Sequence, residues 1–135
     1  MSDTSDRRIE LAEQNYAALT AGHVEEALSR LHPEIVFDWS RSNSPYAGVY
    51  EGRGAVRDLL EEIRDAFDDL EYFTEEWIEV EDRVVRVGGV RGRGRESGAE
   101  VEMKGGQLIE FSGVLPTRVT LYQTKDEALA AAGES

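Results

Sequence analysis

The side chains best suited to chemistry lie close together in one stretch, HPEIVFDWSRSNSPYAGVYEGRGAVRDLLEEI, from His32 to Ile63. Asp38 can move a proton next to a carbonyl if apolar surroundings raise its pKa; at a surface it would instead pair with Arg41. Trp39 beside it is either a flat pocket wall or ordinary core. Tyr46 in this stretch and Tyr16 upstream can donate a phenolic hydrogen bond to a ligand oxygen, or pack with their hydroxyls satisfied elsewhere. Arg91 can hold a carboxylate or phenolate through two N–H groups. Five arginines between Arg83 and Arg95, beside an acidic segment, also make a cross-strand charge ladder. A carboxylate, an indole and tyrosines between two core elements are a usual lining for the mouth of a small-molecule pocket.

Other chemistries lack their residues. The chain has no cysteine, which excludes disulfides, thiolate nucleophiles and cysteine-ligated metals. Its two histidines, His23 and His32, sit at turns and form no HxH or HExxH pattern, so no metal site is expected. No nucleophile motif surrounds any serine. The run Gly92-Arg93-Gly94 is not a dinucleotide fingerprint, because Ser97 stands where the third glycine belongs and no helix follows; no cofactor is expected.

A net charge of -13 makes nucleic acid and anionic membranes poor partners, and the arginine-glycine run at 91–95 reads as strand rather than RNA-binding box. The charge is segregated: residues 58–82 hold twelve acids and one arginine, and residues 83–95 hold five arginines and no acid. Two such blocks neutralise one another as neighbouring strands. At 135 residues a single domain is expected over 1–135, with residues 1–5 frayed. No apolar leader and no apolar run of about 18 residues is visible, so a cytoplasmic protein is the expectation.

The elements that must position these groups follow from periodicity. Ile9, Ala12, Tyr16 and Leu19 recur at helical spacing until Gly22, and turn Tyr16 inward. A short helix over 24–31 ends before Pro33. Residues 34–39 read as a strand with Ile35, Phe37 and Trp39 on one face and Val36 and Asp38 on the other. A polar loop over 40–52 leads to a helix whose Val56, Leu59, Leu60, Ile63 and Phe67 lie along one side. The period then changes to two, predicting strands at 70–80, 83–95, 101–111 and 117–124. With Glu81-Asp82 as a turn, Trp77 faces Arg86 and Tyr72 faces Arg91, each arginine over an aromatic ring. This hairpin is apolar on both faces, which calls for helices on one and a further cover, such as a second subunit, on the other. Thr124 and Glu127 form a capping box for a last helix over 125–132.

Helices followed by a curved, mainly antiparallel sheet is an α+β order. With the segments ALTAG (18–22), HPEIVFDW (32–39), YAGVYEG (46–52), AVRDLLEEI (55–63), DRVVRV (82–87) and RVTLYQTKDEALAAAG (118–133), the chain resembles the SnoaL-like branch of the NTF2-like superfamily. That superfamily includes ketosteroid isomerase and polyketide cyclase-like proteins. The resemblance implies an α+β cone with N-terminal helices in the concavity of the sheet, a homodimer, and a small apolar or polyketide-like ligand. It further implies isomerase, cyclase, dehydratase or epoxide hydrolase chemistry, or non-catalytic binding on the same fold. The general-base position of isomerase-like members falls on Trp39, with Asp38 one residue away and usable only if the strand bulges. The helix tyrosine position falls on Asn15, beside Tyr16, and the sheet donor position falls on Gln107. A neutral amide there can donate a hydrogen bond but cannot act as an acid or base.

Overall fold

The computed structural model describes residues 3–133. Three helices precede the four long strands: α1 (Asp3–Thr20), α2 (Val24–Ser29) and α3 (Gly52–Ala66). The strands are β1 (Val36–Asp38), β2 (Val49–Glu51), β3 (Phe67–Val80), β4 (Arg83–Gly94), β5 (Glu100–Ser112) and β6 (Leu115–Tyr122), and α4 (Lys125–Gly133) follows. They form one curved six-stranded sheet in the order β2-β1-β6-β5-β4-β3, antiparallel except for the parallel pair β1 and β6. This is the expected α+β cone. Of the five leading residues expected to fray, 1–2 lie outside the described residues. Asp3 onward is helical, and Ser5 is buried. Arg8 secures that helix by donating to the Gly113 carbonyl (2.7 Å) and to Asp82 (2.8 Å) while its guanidinium stacks over Phe111.

The helices fill the concave side. Val56, Leu59, Leu60 and Ile63 of α3 are buried, each contributing roughly 1.5–3 kcal/mol. Val56 and Leu60 pack with Val24, Leu28, Leu31, Ile35, Ile109 and Val119, and Leu59 and Ile63 pack with Trp39. Phe67 departs from the expected helix face, because the chain turns extended there and begins β3. The opposite face carries Val85, Val87 and Leu108, as the alternation predicts, and α4 covers them with Ala128 and Ala132. Thr124 Oγ1 accepts from the Glu127 amide (3.1 Å), which is one half of the expected capping box. The Thr124 hydroxyl itself donates to the Glu127 carboxylate (3.2 Å).

Two further features differ from the sequence expectation. The loop over 40–52 contains β2, a three-residue strand that pairs antiparallel with β1. In the β3–β4 hairpin Trp77 does lie opposite Arg86, but the register slips between Thr74 and Glu76. Tyr72 therefore faces Val90, and Arg91 faces Glu71. The slip is a bulge, which adds one residue to β3 and reverses the faces beyond it. The acidic and basic blocks do meet as a ladder: Arg91 with Glu71 (3.0 Å), Arg93 with Asp69 (2.7 Å) and Arg95 with Asp68 (3.1 Å).

Sharp curvature at this point depends on Gly88 and Gly89 of β4. A Cβ on Gly88 would lie 2.2 Å from the Phe73 carbonyl oxygen, and one on Gly89 would lie 1.8 Å from that of Met103. Only glycine lets both neighbouring backbones approach so closely.

Candidate functional site

The bend leaves a hollow of about 370 Å³ between the sheet and the loop over 40–48. Trp39, Val90, Met103 and Leu121 supply apolar wall, and Tyr72, Arg86 and Gln107 supply its polar end. Glu102 and Lys104 belong to the same lining but are exposed, the first beside Arg91 (3.7 Å) and the second paired with Glu75 (2.7 Å).

Register explains the polar end. Arg86 and Gln107 are directly opposite one another on β4 and β5, and Trp77 flanks Arg86 on β3. All three sit on the concave face, as do Ile109 and Val119. Arg86 is 1% exposed. Its Nε donates to Thr74 Oγ1 (2.8 Å), Nη1 to Gln107 Oε1 (3.0 Å), and Nη2 to the carbonyls of Phe73 (2.7 Å) and Gly89 (3.4 Å). The guanidinium lies over the ring of Tyr16, 3.7 Å from its centroid, rather than over Trp77 as expected. The Tyr16 hydroxyl donates to the same Gln107 Oε1 (2.8 Å).

These contacts fix the orientation of Gln107. Arginine has only donors, so the atom facing it must be the amide oxygen. The Nε2 amide group of Gln107 and the Tyr72 hydroxyl have no acceptor among the described residues, and neither is sealed from the hollow. Close surroundings push the Tyr72 hydroxyl well above the ordinary phenol range, chiefly through loss of hydration. It is a neutral donor. Trp39 differs: its Nε1–H is buried without a partner, so the indole contributes a wall and not a donor.

Trp39 and Gln107 of the expected site residues thus line the hollow, and Tyr16 braces it from behind. Asp38, Tyr46 and Arg91 do not line it. No bulge interrupts β1, whose register with β2 and β6 is regular, so Asp38 points away from the Trp39 face. Its carboxylate accepts from the Ser40 hydroxyl (2.6 Å) and amide (3.1 Å) and from Arg118 (2.9 Å), with Arg41 at 3.7 Å. The Ser40 hydroxyl is the main reason its pKa is lowered, the reverse of what proton transfer near neutral pH needs. Tyr46 packs against the cluster of Trp39, Leu59 and Ile63 and receives the Tyr50 hydroxyl on its carbonyl (2.7 Å). Arg91 is exposed in the charge ladder, with its guanidinium over Phe73.

Sequence reasoning placed Arg86 opposite Trp77 but did not mark it, or Tyr72, as part of a site. The mark in the sequence is an arginine within the valine run Val84 to Val90, and its inward face is given by the register with Gln107. No group of three or more metal-ligating side chains occurs among the described residues.

The model of the SnoaL-like domain matches residues 12–115. The chain belongs to the SnoaL-like family. No curated protein matches it. Among solved structures, this SnoaL-like chain is similar to TerC co-crystallised with polyporic acid, at 20% identity and TM-score 0.73, covering 96% of this chain and 99% of that one. It is similar to an NTF2-like protein of Burkholderia xenovorans at 22% identity and TM-score 0.73, covering 96% and 97%. A third is RV0760c of Mycobacterium tuberculosis, in complex with estradiol-17beta-hemisuccinate, at 16% identity and TM-score 0.75, covering 89% and 95%. At these identities the likeness establishes the NTF2-like fold. No helix of the described residues is long and apolar enough to cross a membrane.

Proposed function

We propose that this SnoaL-like protein binds a small, mainly apolar organic molecule in the hollow beside Trp39 and holds a ligand oxygen against Gln107 Nε2 and the Tyr72 hydroxyl. The observation that carries this reading is an apolar-walled space whose inner end offers hydrogen-bond donors with no protein acceptor. Related folds co-crystallised with polyporic acid and with an estradiol ester support it. Asp38 is assigned a positioning role, seating β1 on β6 through Arg118. Tyr46 packs the loop, and Arg91 serves the surface ladder.

Binding without turnover fits the lining best, because its one carboxylate, Glu102, is exposed beside Arg91. Catalysis is the second reading, favoured by donors gathered at one point, the arrangement that stabilises a developing oxyanion. It would be cofactor-independent proton transfer, as in isomerisation, cyclisation, dehydration or epoxide hydration. The chain is taken as one domain, acting in the cytoplasm as a homodimer through the apolar rim around α4, where Ile78, Val80 and Tyr122 are half-buried.

Titration with a naphthyl ketone, followed by tryptophan fluorescence, tests the binding reading. Saturable binding that Leu121→Trp abolishes by filling the hollow is expected; no saturable binding overturns it. Light scattering that returns a monomer at tens of micromolar overturns the homodimer.

A further inference from the structure

Arg86 is the one buried charge in the lining of the hollow, and no carboxylate neutralises it. Every oxygen it reaches is neutral: Thr74 Oγ1, Gln107 Oε1 and the carbonyls of Phe73 and Gly89. Burying a cation without a counter-charge is costly, and hydrogen bonds to neutral dipoles and the Tyr16 ring offset that cost only in part. The charged groups around it do not complete the balance. Glu102 and Lys104 on β5 are exposed and paired with Arg91 and Glu75. Asp38 is held by Arg118, outside the lining. The phenols beside it are Tyr16 on α1, whose ring it covers, and Tyr72 on β3, whose hydroxyl is kept in its neutral form by burial. The chain carries a net charge of -13 yet lines its hollow with a buried cation.

We infer that the ligand of this hollow is an organic anion, a phenolate, enolate or carboxylate on an apolar body, whose charge is balanced by Arg86 and whose oxygen is held by Gln107 Nε2 and Tyr72. This rests on the binding reading above and adds the charge of the ligand. Arg86 acts at short range through the Gln107 amide, which it polarises, and directly through its field in a poorly hydrated space. The overall negative charge of the protein opposes anions, so a preference for one has to arise inside the hollow.

Para-nitrophenol, whose two ionisation states absorb differently, and nitrobenzene, its neutral counterpart, separate the possibilities. Bound para-nitrophenol is expected to ionise at least about one pH unit lower than free, equivalent to a tenfold or greater preference for phenolate over phenol. Arg86→Met should abolish that shift while nitrobenzene still binds; Arg91→Met should leave it intact. The wild-type pH series gives the answer even where Arg86→Met does not fold. Equal binding of phenolate and nitrobenzene, or loss of the shift with Arg91→Met, overturns the anion assignment and leaves the binding reading standing. Saturable binding of neither probe overturns both.

Discussion

The guanidinium of Arg86 lies 3.7 Å from the centroid of the Tyr16 ring, and the two residues donate to one oxygen, Oε1 of Gln107. Helix α1 and the sheet are thus joined at the inner end of the hollow by a three-residue network. Its geometry leaves one face of the Gln107 amide free for a ligand.

Tyr16→Phe removes one of the two donors to Gln107 and keeps the ring beneath Arg86. A loss of about 1 kcal/mol is expected, the net worth of one hydrogen bond to a group that retains another partner. Urea unfolding measures it, and an unchanged midpoint would mean that the network does not tie the helix to the sheet.

Asp38 should show a pH signature. Its folded pKa lies below the ordinary value of 3.8, so its contribution is present above that value and is lost as pH falls through the lower, folded pKa. Asp38→Asn is expected to cost about 1–2 kcal/mol near neutral pH, through the weakened bonds to Ser40 and Arg118. The difference from wild type should shrink below roughly pH 4. Equal penalties at both pH values would show that the carboxylate charge has no part in seating β1.

Glycines separate by environment. Gly89→Ala, with its Cβ 1.8 Å from a backbone oxygen, should cost about 2–3 kcal/mol or more. Gly54→Ala in α3 meets nothing within 4 Å and should stabilise by up to about 1 kcal/mol. Melting temperatures moving in opposite directions check both at once.

Trp39→Phe should change stability by less than about 1 kcal/mol, because the smaller ring also removes a buried donor without a partner. Trp39→Ala should cost about 3–5 kcal/mol. If Phe costs nearly as much as Ala, the unpaired N–H carries no penalty.

Much of this architecture was legible because local pattern and tertiary role agree. The 3.6-residue spacing of Val56 to Ile63 and the two-residue alternation around Val85 and Val87 each name the faces that are buried. The bulge after Thr74 has no such mark, since one extra residue leaves the alternation intact on either side while reversing the faces beyond it. Tyr72 and Arg91 changed partners for that reason. Strand β2 escaped detection because three residues form it only when β1 is alongside. Arg86 carries no mark of a site in the sequence, because charge on a strand ordinarily signals solvent; the register with Gln107 shows it facing inward.

The parallel pairing of β1 with β6 also sets the order in which the molecule can assemble. Asp38 and Arg118 are 80 residues apart in sequence, so the wall bearing Phe37 and Trp39 has no neighbour on that side until the segment Leu115–Tyr122 has been synthesised. Until then α3 can pack only on an incomplete sheet, with aromatic surface and a strand edge exposed. Such late, non-local closure predicts slow folding, in which the β3–β4 hairpin forms before the hollow beside Trp39 is closed.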